Sequence, residues 1–242
     1  MSGAAAFADW KSMPNSGGDI FFRSFDRLFQ IKAQGKIRII KDDKELEYIK
    51  KAAEIADGGF QHIIGFIKAG MSEKHIGLEL EFFMRKNGAF GLSFESIVAS
   101  GWRSSLPHGV ATYKIVEEGD FLTLDFGCVY NGYCSDMTRT LVIGKADDRQ
   151  KKIYNTVLKA QKEAMKHIKV GAICKDIDRA ARDIIKDAGF QNYFGHGLGH
   201  GVGLAVHEEP RLSPTGETIL EANMVVTNEP GIYIPDYGGV RI

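Results

Sequence analysis

The chain has 242 residues, 44% hydrophobic and 26% charged, and its 31 basic and 31 acidic residues cancel. That balance leaves no basic surplus for nucleic acid and no acidic tail, and no apolar run reaches the roughly 18 residues of a membrane span. The length suits one large domain or two small ones, the start lacks the basic and apolar regions of a signal peptide, and three scattered cysteines, Cys128, Cys134 and Cys174, read as free thiols of a reducing cytoplasm.

Residues 1–36 show no sustained period and are read as an atypical leader, with the folded domain expected over 37–242. From Asp42 the pattern turns helical, with Leu46, Ile49, Ala53, Ala56, Phe60, Ile63 and Ile67 stepping by three and four. Gly70 ends this helix. Ser72 is the N-cap expected for the next, with Ile76, Leu80 and Phe83 inward and Asn87-Gly88 as its close. Strands are expected over 94–100, 121–129 and 133–143. A long helix through Ile153, Val157, Ala160, Ala164 and Ile168 stops at Gly171, and a shorter one through Ile177, Ala181, Ile184 and Ile185 stops at Gly189.

The plan therefore repeats. At a constant offset of 101, Ile67, Lys68, Gly70, Lys74, Ile76 and Gly88 fall on Ile168, Lys169, Gly171, Lys175, Ile177 and Gly189. The period is too long for a solenoid and indicates a duplication. The expected fold class is α+β: a pseudo-two-fold pair of helix–helix–strand halves sharing an antiparallel sheet, with the helices on one side. A cleft between the halves is the natural site.

Asp125 to Asp136 encloses Asn131-Gly132, the strongest two-residue hairpin signal. A tight turn there pairs Tyr130 with Tyr133, Gly127 with Asp136 and Asp125 with Thr138. Asp125 and Asp136 then share a face as diagonal neighbours, roughly 7–8 Å apart at the backbone. The other face carries Leu122, Leu124, Phe126, Cys128 and Met137. Two carboxylates on one face repel unless protonated or bound to cations, and a pair of divalent ions is one solution. Two ordinary aspartates on a solvated hairpin would give the same pattern.

Glycine takes every second position from Gly195 to Gly203. A helix interior would lose roughly 1 kcal/mol at each. As extended chain, all five glycines share one face and His196, Leu198, His200 and Val202 the other. The bare face admits a backbone or ligand at close range. His196 and His200 would lie roughly 13 Å apart, too far to share one ion. A phosphate cradle would need a helix after the glycines, and His207-Glu208-Glu209-Pro210 does not start one. Alone, Glu229 reads as a surface glutamate, His108 as a loop histidine, and His62, His75 and His167 as structural or exposed side chains.

Together these residues resemble the pita-bread metallopeptidases: methionine aminopeptidases, Xaa-Pro aminopeptidases and prolidases. The resemblance runs from about Ile37 to Ile242 through motifs in order. They are Leu106-Pro107-His108-Gly109-Val110, Asp125-Phe126-Gly127, Gly132 to Thr140 around Asp136, His196 to Glu208, Glu229-Pro230-Gly231-Ile232-Tyr233, and Gly238-Gly239-Val240-Arg241-Ile242. The last two are similar to the Xaa-Pro aminopeptidase and prolidase branch. The resemblance implies the pita-bread fold and a cytoplasmic exopeptidase that removes an N-terminal residue, by attack of metal-activated water. It implies Asp125, Asp136, His200 and Glu229 as ligands of two divalent ions, manganese or cobalt before zinc or iron. Glu229 doubles as general base. His108, His196 and His207 hold substrate and stabilise the oxyanion, Thr138 supports the ligands, and Tyr233 and Arg241 line the site. The implied partners are a peptide substrate and, as an open alternative, a second copy of the chain; neither nucleic acid nor membrane is implied.

Two departures qualify this. The family carries a further glutamate ligand two residues after the arginine, which here would be position 243, so the sequence as given holds four of five ligands and is expected to be a fragment. Residues 1–36 are also too few for the N-terminal domain of the prolidase branch. Three other functions stay open: a domain of this fold that binds peptide or protein without catalysis, a methionine aminopeptidase-like specificity, and metal-free hydrolysis of a small amidine.

Overall fold

The computed structural model describes residues 37–242, so the leader read over 1–36 lies outside the described residues. Helix α1 (Asp43–Phe66) starts at a capping box, in which Asp42 accepts from the Glu45 N–H and Glu45 reaches back to the Asp42 N–H. Its buried stripe is Ile49, Ala52, Ile55, Ala56, Gly59 and Ile63, rotated from the expected one. The reason is size: a Cβ at Gly59 would sit 3.5–3.7 Å from Met84, Leu80 and Phe126, so the small residues form the contact face. Leu46, Phe60 and Ile67 flank it, half-buried.

Helix α2 (Glu73–Lys86) is capped by Ser72, as expected, and closes at Asn87. Gly88 at φ +103° then takes the left-handed conformation that reverses the chain. Strands β1 (Gly91–Leu92), β2 (Ile97–Ser100), β3 (Phe121–Phe126), β4 (Cys128–Tyr130), β5 (Tyr133–Cys134) and β6 (Met137–Val142) follow, with a short 3₁₀ turn at Gly101–Ser105. Helix α3 (Asp148–His167) and helix α4 (Cys174–Asp187) open the second half, and β7 (Gly199–Gly201), β8 (Glu208–Leu212), β9 (Gly231–Ile234) and β10 (Gly238–Arg241) complete it.

All strand pairs are antiparallel. The expected long strands are shorter: 94–100 becomes Ile97–Ser100, and the hairpin arms break at Gly127 and at Ser135-Asp136. The register nonetheless runs through the break, with Asp125 opposite Thr138 and Tyr130 opposite Tyr133. A Cβ at Gly127 would meet the Ser135 carbonyl oxygen at 2.0 Å, so only glycine fits there.

Helices cover one face of these strands in both halves. Leu122, Leu124, Phe126 and Cys128 pack with α1 and α2, whereas Ile232, Ile234 and Val240 pack with α3 and α4. The alternate positions, Thr123, Asp125, Thr138, Tyr233 and Arg241, go to the opposite face.

The duplication extends to individual hydrogen bonds. Gly70 donates to Val116 O and Gly171 to Leu220 O, both at 2.8 Å. Lys74 donates to Thr112 O at 2.7 Å and Lys175 to Gly216 O at 2.8 Å. Where the halves meet, Thr140 Oγ1 donates to Arg241 O at 2.8 Å. Those two positions are also 101 apart, so equivalent residues touch each other at the pseudo-two-fold axis.

Candidate metal centre

Between the halves lies a cavity of about 530 Å³ lined by Asp125, Asp136, His108, His196, His200, His207, Glu229, Arg211 and Arg241, among others. The hairpin delivers the first two. Asn131 and Gly132, at φ +48° and +88°, form the tight turn that sets its register.

The glycine-alternating stretch delivers His200. A Cβ at Gly199 would meet the Thr227 carbonyl oxygen at 2.1 Å, and one at Gly201 the Glu209 carbonyl oxygen at 2.1 Å. The bare face is thus filled by two neighbouring backbones. One is β8. The other is the segment to Glu229: the Thr227 N–H donates to His200 O at 2.8 Å and the Glu229 N–H to Leu198 O at 2.9 Å. This lateral pairing puts Glu229 beside His200. The ideal alternation ends at a bulge between His200 and Gly201.

His200 Nε2 lies 3.1 Å from Glu229 Oε1 and 3.4 Å from Asp136 Oδ2. One donor atom from each of Asp136, His200 and Glu229 lies within 4.8 Å of the others. Asp125 belongs to the same cavity but is ion-paired to Arg241. Its Oδ1 is buried without a hydrogen-bond partner. Burial, and then the charges of Asp125 and Glu229, push the Asp136 carboxyl up to about 8. Burial pushes Asp125 up to about 6 against the opposing charge of Arg241. Glu229 goes the other way: burial raises it, but the His200 hydrogen bond and the nearby positive charges prevail and hold it below the usual range. Two carboxylates driven towards protonation, an orphaned carboxylate oxygen and one imidazole form a site short of positive charge. Divalent cations bound by oxygen and nitrogen donors fit it.

The other expected residues fall into three groups. His108 and His207 line the cavity, are exposed, and make no ring hydrogen bond among the described residues. His196 lines it too, but Nδ1 faces Gly197 O at 2.7 Å and Nε2 faces the Tyr233 hydroxyl at 2.7 Å. With both nitrogens engaged, it is a wall rather than a free donor. Tyr233, expected to line the site, is instead buried behind it, bonded to His196 and, at 3.0 Å, to Arg241 Nη1. Arg241 lines the cavity but also donates to Thr138 Oγ1 at 3.1 Å and Pro107 O at 3.0 Å.

Other residues here carried no readable signal. Arg211 stands opposite His200 in the β7–β8 pair and makes no ion pair among the described residues. The pairing is non-local, so no local pattern marks it. Asp178 and Arg182, four apart on α4, had the spacing of an ordinary surface pair. Asp178 is buried and accepts from the Leu198 N–H at 3.0 Å, and Arg182 donates to His196 O at 2.8 Å.

The model of metallopeptidase family M24 matches residues 47–242. An Xaa-Pro dipeptidase of Pyrococcus horikoshii is 50% identical over 206 residues, 85% of this chain and 59% of the relative. Among solved structures, an Xaa-Pro dipeptidase from Bacillus anthracis is 54% identical with a TM-score of 0.85, over 86% of this chain and 59% of that one. An X-Pro aminopeptidase from Thermotoga maritima is 44% identical with a TM-score of 0.86, over 91% of this chain and 65% of that one. The chain thus spans about 59% of the length of the curated relative. The pita-bread expectation and the antiparallel, duplicated architecture agree with these likenesses, and the chain belongs to metallopeptidase family M24.

Proposed function

We propose that this chain carries the catalytic centre of a dinuclear metal-dependent exopeptidase that cleaves the bond before proline, with Xaa-Pro dipeptides as preferred substrates. The convergence of Asp136, His200 and Glu229 within 4.8 Å, beside the buried Asp125, carries the reading. These four side chains would hold two divalent ions, manganese or cobalt by the hardness of the donor set. The compartment in this reading is the cytoplasm, where buried thiols such as Cys128, Cys134 and Cys174 stay reduced. Likeness to an Xaa-Pro dipeptidase supports the specificity.

Bound ions supply Lewis acidity to a carbonyl oxygen and bring the pKa of water towards 7. The chain's own groups do the rest. Glu229, ionised at neutral pH, takes the proton of the attacking water on a carboxylate oxygen. His207, whose burial holds its ring below the usual range, and His108 have no ring hydrogen bond among the described residues and donate to the developing oxyanion. Arg241 holds Asp125, Thr138 and the Pro107 carbonyl in one array. Arg211, a cavity cation without an ion-pair partner among the described residues, supports a dipeptide: it suits the free carboxylate that follows directly on the second residue.

Isothermal titration with manganese(II), followed by hydrolysis of Met-Pro, Met-Ala and Met-Pro-Ala, tests the reading on a version extended past Ile242. Two sites and preference for Met-Pro are expected. Absence of metal-dependent cleavage in a protein that binds the ions would leave a binding module instead.

A further inference from the structure

Each histidine-bearing loop of the cavity is fastened by a buried carboxylate. Glu73, fully buried, accepts from Ser100, Arg103 and Thr112 and holds the loop of His108. Asp178, with Arg182, holds the segment of His196. For His207 the carboxylate is the adjacent residue, Glu208, and its partner is unusual.

Lys41 is 2% exposed, one of the largest fully buried side chains among the described residues. Its Nζ donates to Glu208 Oε2 at 3.4 Å and to Ile39 O at 3.3 Å. Arg38 pairs with the other oxygen of Glu208. That oxygen also accepts from the Ala205 N–H at 2.9 Å, which closes the turn leading to His207. The turn is packed against the hairpin: the Cys134 N–H donates to Gly203 O at 2.8 Å. A Cβ at Gly203 would stand 2.6 Å from the Glu208 carboxylate. The lysine itself is pinned from a third direction, its N–H donating to Asn223 O at 3.1 Å.

We propose that Lys41 and Glu208 form a positioning pair that fixes His207 over His200. The two imidazole centroids lie 4.4 Å apart. His207 is exposed, and its ring has no hydrogen bond among the described residues, so its place depends on the backbone that bears it. A buried ion pair is a poor device for stability, since apolar residues of the same volume often do as well. What the pair gives is geometry: one carboxylate, with donors from two segments, 38–41 and Ala205, sets the turn that carries the histidine one residue before it. Asp136, two residues after Cys134, is set by the same junction.

The kinetic consequence rests on the reading that His207 contacts the reacting peptide; the spectroscopic one does not. With the manganese-loaded chain and Met-Pro, Glu208→Gln should lower kcat by roughly 10–100-fold and leave KM within about threefold. His207→Ala should do the same, and the double variant should be no worse than His207→Ala alone. In the metal-free protein, Glu208→Gln should move the His207 imidazole NMR signals and leave those of His167 in place. Lys41→Met with Glu208→Leu supplies a well-packed apolar pair. It should restore the thermal midpoint while kcat stays low, whereas Glu208→Asp should recover part of kcat. Recovery of kcat together with the midpoint in the apolar pair, additive losses in the double variant, or unmoved His207 signals would each overturn the proposal. Failure of every Glu208 variant to fold would overturn it too, leaving a purely structural pair. If His207→Ala cleaves Met-Pro normally while the His207 signals still move, the reading of His207 fails and the clamp stands.

Discussion

At the residue scale, the site is governed by an excess of buried negative charge. Asp136 and Asp125, with carboxyls pushed up to about 8 and about 6, keep protons at pH values where an unfolded chain has lost them. The folded, metal-free protein therefore binds more protons than the unfolded one between about pH 4 and pH 8. Its stability should fall as pH rises through that window, seen as a declining thermal midpoint in chelator. Divalent ions must displace these protons. Manganese affinity should rise with pH from 6 to 8, and titrations in buffers of different ionisation enthalpy should report proton release at pH 7. Flat affinity across that range would contradict the charge balance. Arg211 gives a second test. Arg211→Gln should lower kcat/KM for Met-Pro by roughly 10–100-fold, the loss of a charge-assisted contact. The effect on Met-Pro-Ala, whose carboxylate is elsewhere, should be small. Equal losses on both substrates would mean that Arg211 does not read the carboxylate.

At the element scale, the glycine-alternating strand is defined by what presses on it. Gly199 and Gly195 look equivalent in the sequence, yet a Cβ at Gly199 would meet backbone at 2.1 Å and one at Gly195 would meet nothing within 4 Å. Gly199→Ala should cost about 3 kcal/mol in urea unfolding by overpacking against an unyielding backbone. Gly195→Ala should change stability by less than about 0.5 kcal/mol. Comparable losses for the two would refute the paired-backbone account. The strand also shows how far local pattern reaches. Period-two glycine announced extended chain with a close neighbour on one side. It could not say that the neighbour is the segment to Glu229, which is 29 residues further on from His200.

At the scale of the molecule, each half owns a core, and the proposed ligand set is split between them. Asp125 and Asp136 come from the half built on α1 and α2; His200 and Glu229 come from the half built on α3 and α4. Ions held by both should fasten the halves together. Hydrogen exchange should therefore slow on manganese addition in the amides of β3 and β6 and in those of β7, β9 and β10. Protection confined to one half would show that the ions are not shared.

The sequence by itself determined the helices, the glycine stops of α2 and α4, the duplication at an offset of 101 and the hairpin register, whereas α1 and α3 end at Phe66 and His167, four residues short of Gly70 and Gly171. These rest on local rules: periodicity, capping and the positive-φ turn at Asn131-Gly132 act within a few residues and can be read within a few residues. The identities of Asp125, Asp136, His200 and Glu229 as a group came from motif resemblance, and their convergence came from the fold. Only the tertiary structure decided that Tyr233 stands behind the wall and that both nitrogens of His196 are spoken for. Only it paired Arg211 with His200 and buried Lys41 against Glu208. Apart from the bond of His196 to its neighbour Gly197, those contacts join positions between 11 and 167 residues apart. Which side chain faces which across such a separation is set by sheet register and by the packing of whole elements, and no short stretch of sequence contains either.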